Sequence, residues 1–170
     1  MQKNNLFIVD AFAIEPFRGN PASVYLIEQD VTSSTLQSIA AEMNHSETAF
    51  VKPLGSKSWL ETTRFSLRWF TPTVEVELCG HATLATSCVL FTEVGVNVPE
   101  LVFETLSGEL RVTRGKASDL FVLNFPTQAV SRTELPHGMK EALGITGIQE
   151  VWFAKNSFYV VRVPESCDLT

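Results

Sequence analysis

Two short runs hold the side chains best able to do chemistry. Asn44-His45-Ser46-Glu47-Thr48-Ala49-Phe50 sets one carboxylate, Glu47, between the end of a helical pattern and the start of an apolar strand. Leu78-Cys79-Gly80-His81-Ala82-Thr83 sets a thiol, a glycine and an imidazole at the expected start of a second helix. A carboxylate against Ala49, Phe50 and a core helix would be partly desolvated, which suits it to moving a proton. The start of a helix presents unpaired N–H groups and the positive end of the dipole to an anion. Gly80 would let a carboxylate approach the backbone, and His81 would hydrogen-bond it or share its proton. These are the ingredients of an isomerase or epimerase site. The plainer alternatives are a solvated glutamate, a turn glycine and an exposed capping histidine.

Other chemistries find little support. There is no Gly-rich phosphate loop of the Walker or dinucleotide type, and no Gly-x-Ser-x-Gly elbow surrounds Ser46. Cys79 and His81 lack a second ligand pair at zinc-like spacing, and His137 and Cys167 lie far along the chain, so no metal and no cofactor is expected. Net charge is −6 without a Lys/Arg cluster, which argues against nucleic acid or an anionic membrane as partner. Residues that are 45% hydrophobic and 19% charged fit a globular chain with a sizeable core. No run is long enough to span a bilayer, and the N-terminus reads as neither signal nor anchor. Three cysteines without secretory context suggest a reducing, cytoplasmic setting.

The elements that must position these residues follow from pattern. Residues 6–12 and 22–27 read as strands around a loop containing Pro16-Phe17-Arg18-Gly19-Asn20-Pro21. Leu36, Ile39, Ala40 and Met43 recur at helical spacing, with Ser34 and Gln37 as an expected capping box and Asn44 as the stop. Strands are expected at 48–51, 64–70 and 74–78, the last two alternating between apolar and polar residues. From Gly80, Ala82, Ala85, Cys88 and Val89 mark a mostly apolar helix closed by Gly95, its small residues suited to packing centrally against a sheet. Strands at 101–106, 109–113 and 120–125 follow through tight turns, giving a mostly antiparallel α+β arrangement. Residues 126–132 read as a linker, before a short helix at 136–143 and strands at 151–154 and 158–163. The expected organisation is a lobe over 1–125 and the incomplete start of a second over 126–170, too few residues for a core of their own.

Val9-Asp10-Ala11-Phe12, Phe17-Arg18-Gly19-Asn20-Pro21, the run from Asn44 to Phe50, Arg68 to Pro72, Leu78 to Leu84, and Leu106-Ser107-Gly108-Glu109-Leu110 occur in this order. With them the chain resembles the PhzF-like phenazine-biosynthesis family, which shares the diaminopimelate epimerase fold. The resemblance implies two similar lobes, each a sheet wrapped about a central helix, with the site in the cleft between them. It also implies an isomerase without metal or organic cofactor, acting on a small carboxylate-bearing metabolite, and a homodimer as a frequent state.

On this resemblance Glu47 is the catalytic acid/base and Gly80, His81 and Ala82 bind substrate, while Asn20 reads equally as lining the pocket floor or as a turn former. Cys79 matches the cysteine base of diaminopimelate epimerases, but a buried structural thiol is the better expectation. Asp10 is a possible loop anchor, and His45 is expected to cover the helix end. The second lobe of family members supplies an Asp and a Gly/Ser-rich loop that cannot be assigned here. The alternative is therefore a binding or interaction protein that keeps the fold without the chemistry.

Overall fold

The computed structural model describes residues 6–55, 58–115, 120–145, 147–154 and 158–167. Residues 1–5, the N-terminus read as neither signal nor anchor, and 168–170, the end of the second expected lobe, lie outside them. The chain divides into two compact units, Met1–Phe125 and Pro126–Thr170.

In the first unit an eight-stranded sheet runs in the order β1-β2-β3-β4-β6-β7-β8, with β5 paired to β4. The strands are β1 (Leu6–Ala11), β2 (Asn20–Leu26), β3 (Thr48–Pro53), β4 (Arg64–Phe70), β5 (Glu75–Val76), β6 (Glu100–Thr105), β7 (Gly108–Arg114) and β8 (Phe121–Asn124). Pairing is antiparallel except between β2 and β3 and between β4 and β6. The sheet is thus mixed but mostly antiparallel, and it carries the α+β architecture the pattern suggested.

Strand alternation sends neighbouring residues into two different cores. Ala49, Val51, Phe65, Leu67 and Trp69 join Ala82, Ala85, Val89 and Leu90 of the second helix, α2 (Gly80–Cys88), and its continuation. On the other face Phe50 and Phe70 meet Leu36 and Ala40 of the first helix, α1 (Ser33–Met43). Because successive side chains in a strand point to opposite faces, β3 is buried on both sides between the two helices. α2 fits here because its side chains are small, and its buried hydroxyls bond back one turn. Thr83 Oγ1 donates to Cys79 O (2.5 Å), Thr86 Oγ1 to Ala82 O (2.7 Å) and Ser87 Oγ to Thr83 O (2.8 Å). Such bonds satisfy polar groups in an apolar setting and loosen a helix locally. The chain then widens into a π-helical segment, Val89–Val94, closed by Gly95 at φ 81°.

Several local expectations need correction. The N-cap of α1 is Thr32, whose side chain accepts from Thr35 N, and Gln37 Nε2 donates instead to Thr71 O (2.8 Å), so the Ser34–Gln37 capping box does not form. The expected strand over 74–78 shrinks to two residues, anchored by Glu75 accepting two bonds from Arg68 (2.7 and 2.8 Å). Asn44 does end α1 in the left-handed conformation, at φ 52°.

The loop between β1 and β2 is tied by Asp10 Oδ2, which accepts from Gly19 N (3.1 Å). A Cβ on Gly19 would lie 2.4 Å from Ala11 O and 2.7 Å from Asp10 Oδ1, so only glycine fits. Gly19→Ala should therefore lower stability by about 1–3 kcal/mol, the usual cost of overpacking. A denaturant midpoint that falls at constant slope will show it.

In the second unit β9 (Val130–Arg132), β10 (Glu150–Ala154) and β11 (Phe158–Arg162) form an antiparallel sheet in the order β11-β10-β9. β9 lies within the stretch read as a linker, where three exposed residues gave no periodic signal. Helix α3 is confined to Met139–Leu143, and left-handed glycines Gly138 and Gly144 flank it. Among the described residues no helix is long and apolar enough to cross a membrane.

Candidate active site

The parallel pairing of β2 with β3 builds the site. Its register sets Ser23 opposite Thr48, so the first residues of both strands lie at one end of the sheet. Asn20 opens β2 there, and Ser46 and Glu47 arrive there from the end of α1. α2, packed on the sheet face, begins at the same end with Cys79 as its N-cap and Gly80 as its first residue.

The sequence-predicted residues consequently meet. Glu47 Oε2 is 3.4 Å from His81 Nε2, with side chains 21% and 10% exposed. The other ring nitrogen, Nδ1, is 3.4 Å from Cys79 Sγ. Ser46 Oγ lies 3.2 Å from His81 Nε2 and donates to Asn20 Oδ1 across 3.5 Å. Ala82 is fully buried, backbone included, and its N–H is bonded to the Cys79 sulfur, so contrary to expectation it is not open to a ligand. A Cβ on Gly80 would meet nothing nearer than Phe125 Cε2 at 3.9 Å, and its φ is not left-handed. Neither packing nor backbone conformation calls for glycine at that position.

Electrostatics separate the titrating groups. Burial pushes the Cys79 thiol up to about 12, with the Glu47 carboxylate adding to the rise and the backbone N–H groups of Ala82 and His81 opposing it. Burial also lowers His81 below its ordinary value, against the pull of Glu47. Desolvation outweighs the nearby charge, so near neutral pH the His81–Glu47 contact sets a neutral ring beside a carboxylate and is not an ion pair. A thiol held protonated is a poor nucleophile. In native protein at about pH 8, iodoacetamide should modify partly exposed Cys88 well before Cys79, as mass mapping over time will report.

Glu47, Cys79 and His81 each offer a donor atom within 4.8 Å of the others, a grouping of metal-ligating residue types. The search for ligand pairs along the chain missed it, because Glu47 comes from a different element. The imidazole Nδ1 lies 3.4 Å from the sulfur and its Nε2 3.4 Å from the carboxylate. Ser46 was also missed as a site residue, having been weighed only as a nucleophile. His45 does more than cover the helix end, since its Nδ1 lies 2.7 Å from the buried Ser23 Oγ.

Comparison with known proteins bears on this arrangement. The family model for phenazine biosynthesis-like proteins matches residues 9–157. The chain belongs to this family. It is 44% identical over 168 residues to phenazine biosynthesis-like domain-containing protein 1 of Mus musculus, covering 96% of this chain and 58% of that protein. It is also 44% identical over 160 residues to an uncharacterized isomerase of Pseudomonas aeruginosa, covering 94% and 57%. The crystal structure of a PhzF-family phenazine biosynthesis protein from Enterococcus faecalis superposes with a TM-score of 0.79 at 39% identity, over 95% of this chain and 57% of that one. A predicted epimerase of Pseudomonas aeruginosa, at 19% identity and a TM-score of 0.67, shares the fold. The chain thus spans somewhat over half the length of these relatives.

Proposed function

We propose that this chain carries the acid–base and carboxylate-holding part of a cofactor-independent isomerase acting on a small carboxylate-bearing metabolite. Glu47 takes a proton from a carbon of the substrate, the electron pair spreads into the adjoining unsaturated or carboxyl group, and the proton returns at another carbon. The first turn of α2, at Gly80 and the His81 ring, holds the carboxylate, and the helix dipole opposes the charge that develops on it. Asn20 lines the floor, and Cys79 remains a thiol. The observation that carries the reading is Glu47 Oε2 lying 3.4 Å from His81 Nε2 at the first turn of α2. The isomerase name of the Pseudomonas relative and the epimerase-type fold support it.

The test is solvent exchange in D2O, with protein of the relatives' length and a panel of small carboxylates bearing an acidic C–H. Deuterium should enter the product at the carbon that gains the proton. A product free of label after many turnovers contradicts the proposal. A second reading is a binding protein that keeps the fold and holds the carboxylate without reaction. Saturable carboxylate binding without exchange at either chain length would select that one.

A further inference from the structure

Three side chains meet His81 and a fourth, Asn20, meets Ser46, and their donor and acceptor capacities fix a direction. Asn20 presents Oδ1 to Ser46, and a carbonyl oxygen only accepts, so the single hydroxyl proton of Ser46 points to Asn20. Ser46 Oγ then meets His81 Nε2 at 3.2 Å with its lone pairs, so the proton between them belongs to Nε2. Glu47 Oε2 stands 3.4 Å from the same nitrogen. With Nε2 protonated and the ring neutral, Nδ1 is the acceptor, and Cys79 Sγ at 3.4 Å still carries a proton to give it. The bonds run one way, from Cys79 S–H to Nδ1, from Nε2–H to Ser46, and from Ser46 O–H to Asn20.

We propose that Ser46 is the positioning residue of this site, holding His81 as the Nε2–H tautomer so that a neutral N–H donor faces Glu47 and the ligand. The ring then supplies a hydrogen bond to an anion while leaving Glu47 to move the proton. Only the mention of a ligand rests on the isomerase reading; the tautomer and its holder do not.

The experiment uses the present chain, labelled with 15N-histidine and free of ligand, in long-range 15N–1H correlation at about pH 8, where a ring of ordinary or lowered pKa is neutral. The sequence has three histidines, and His→Gln variants assign each. His81 should show a pyridine-type Nδ1 and a pyrrole-type Nε2. In Ser46→Ala the Nδ1–H form should rise from undetected to a resolvable share, while Ser46→Thr, which keeps the hydroxyl, restores the parent pattern. His45, held by Ser23, reports that the fold persists. Asn20→Asp keeps an acceptor and should keep the Nε2–H form. An Nδ1–H tautomer in the parent, an unmoved His81 in Ser46→Ala, or a switched tautomer in Asn20→Asp each overturns the proposal. If Ser46→Ala loses the His45 pattern, the parent tautomer and the other two variants decide. No turnover is involved, so failure here and failure of the isomerase reading are separate results.

Discussion

Glu47→Gln should cut proton exchange by about 10²- to 10⁴-fold, the usual contribution of a positioned acid or base. The substitution keeps the shape of the side chain and an oxygen that can accept from His81 Nε2, but an amide cannot take up a proton at working pH. Glu47 is partly buried, at 21% exposure, and its ion-pair geometry is with His81, which burial keeps neutral. Losing its charge therefore breaks no ion pair, and stability should stay within about 0.5 kcal/mol of the parent. The rate of deuterium entry measures the first effect and a denaturant midpoint the second. Full exchange in the variant would place the base elsewhere. A large fall in stability would instead make Glu47 a structural residue.

The parts of this architecture that the sequence discloses are those written in short-range chemistry. Asn44 could be read as a helix stop because few residues other than glycine tolerate its left-handed conformation. Arg64-Phe65-Ser66-Leu67-Arg68-Trp69 could be read as a strand because one face is apolar, and Phe65, Leu67 and Trp69 are indeed at or below 1% exposure. The start of α2 was visible as a change of period after Gly80. What stayed hidden depends on distant partners. Ser34 and Thr32 are both competent caps, and it is Thr32 that takes the extended backbone of an N-cap, leaving Ser34 inside the first turn. The two-residue β5 is held by Arg68 more than by its own pattern, and β9 is exposed throughout.

The candidate site divides along the same line. Glu47, Gly80 and His81 stand out as residue types, whereas the bond between Ser46 and His81 exists only because β2 and β3 pair in parallel. A crossover through α1 makes that pairing, and no local feature near Ser46 announces it.

Gly80→Ala should separate fold from function in the opposite sense to most glycine substitutions. Gly19 is required by close packing, but a methyl group on Gly80 would have open space apart from ordinary contact with Phe125. In a helical position with tolerated backbone angles, alanine reduces the freedom of the unfolded chain and raises stability by about 0.4–1 kcal/mol. That same methyl group stands where a carboxylate would approach the first N–H groups of α2. Losing one charge-assisted hydrogen bond costs about 1.5–3 kcal/mol, which corresponds to roughly 10- to 150-fold in affinity. Titration of a small carboxylate against both forms, with thermal melts alongside, should show weaker binding in the more stable protein. If the variant bound as tightly as the parent, the anion would not rest on this helix start, and bare space at Gly80 would have no functional meaning.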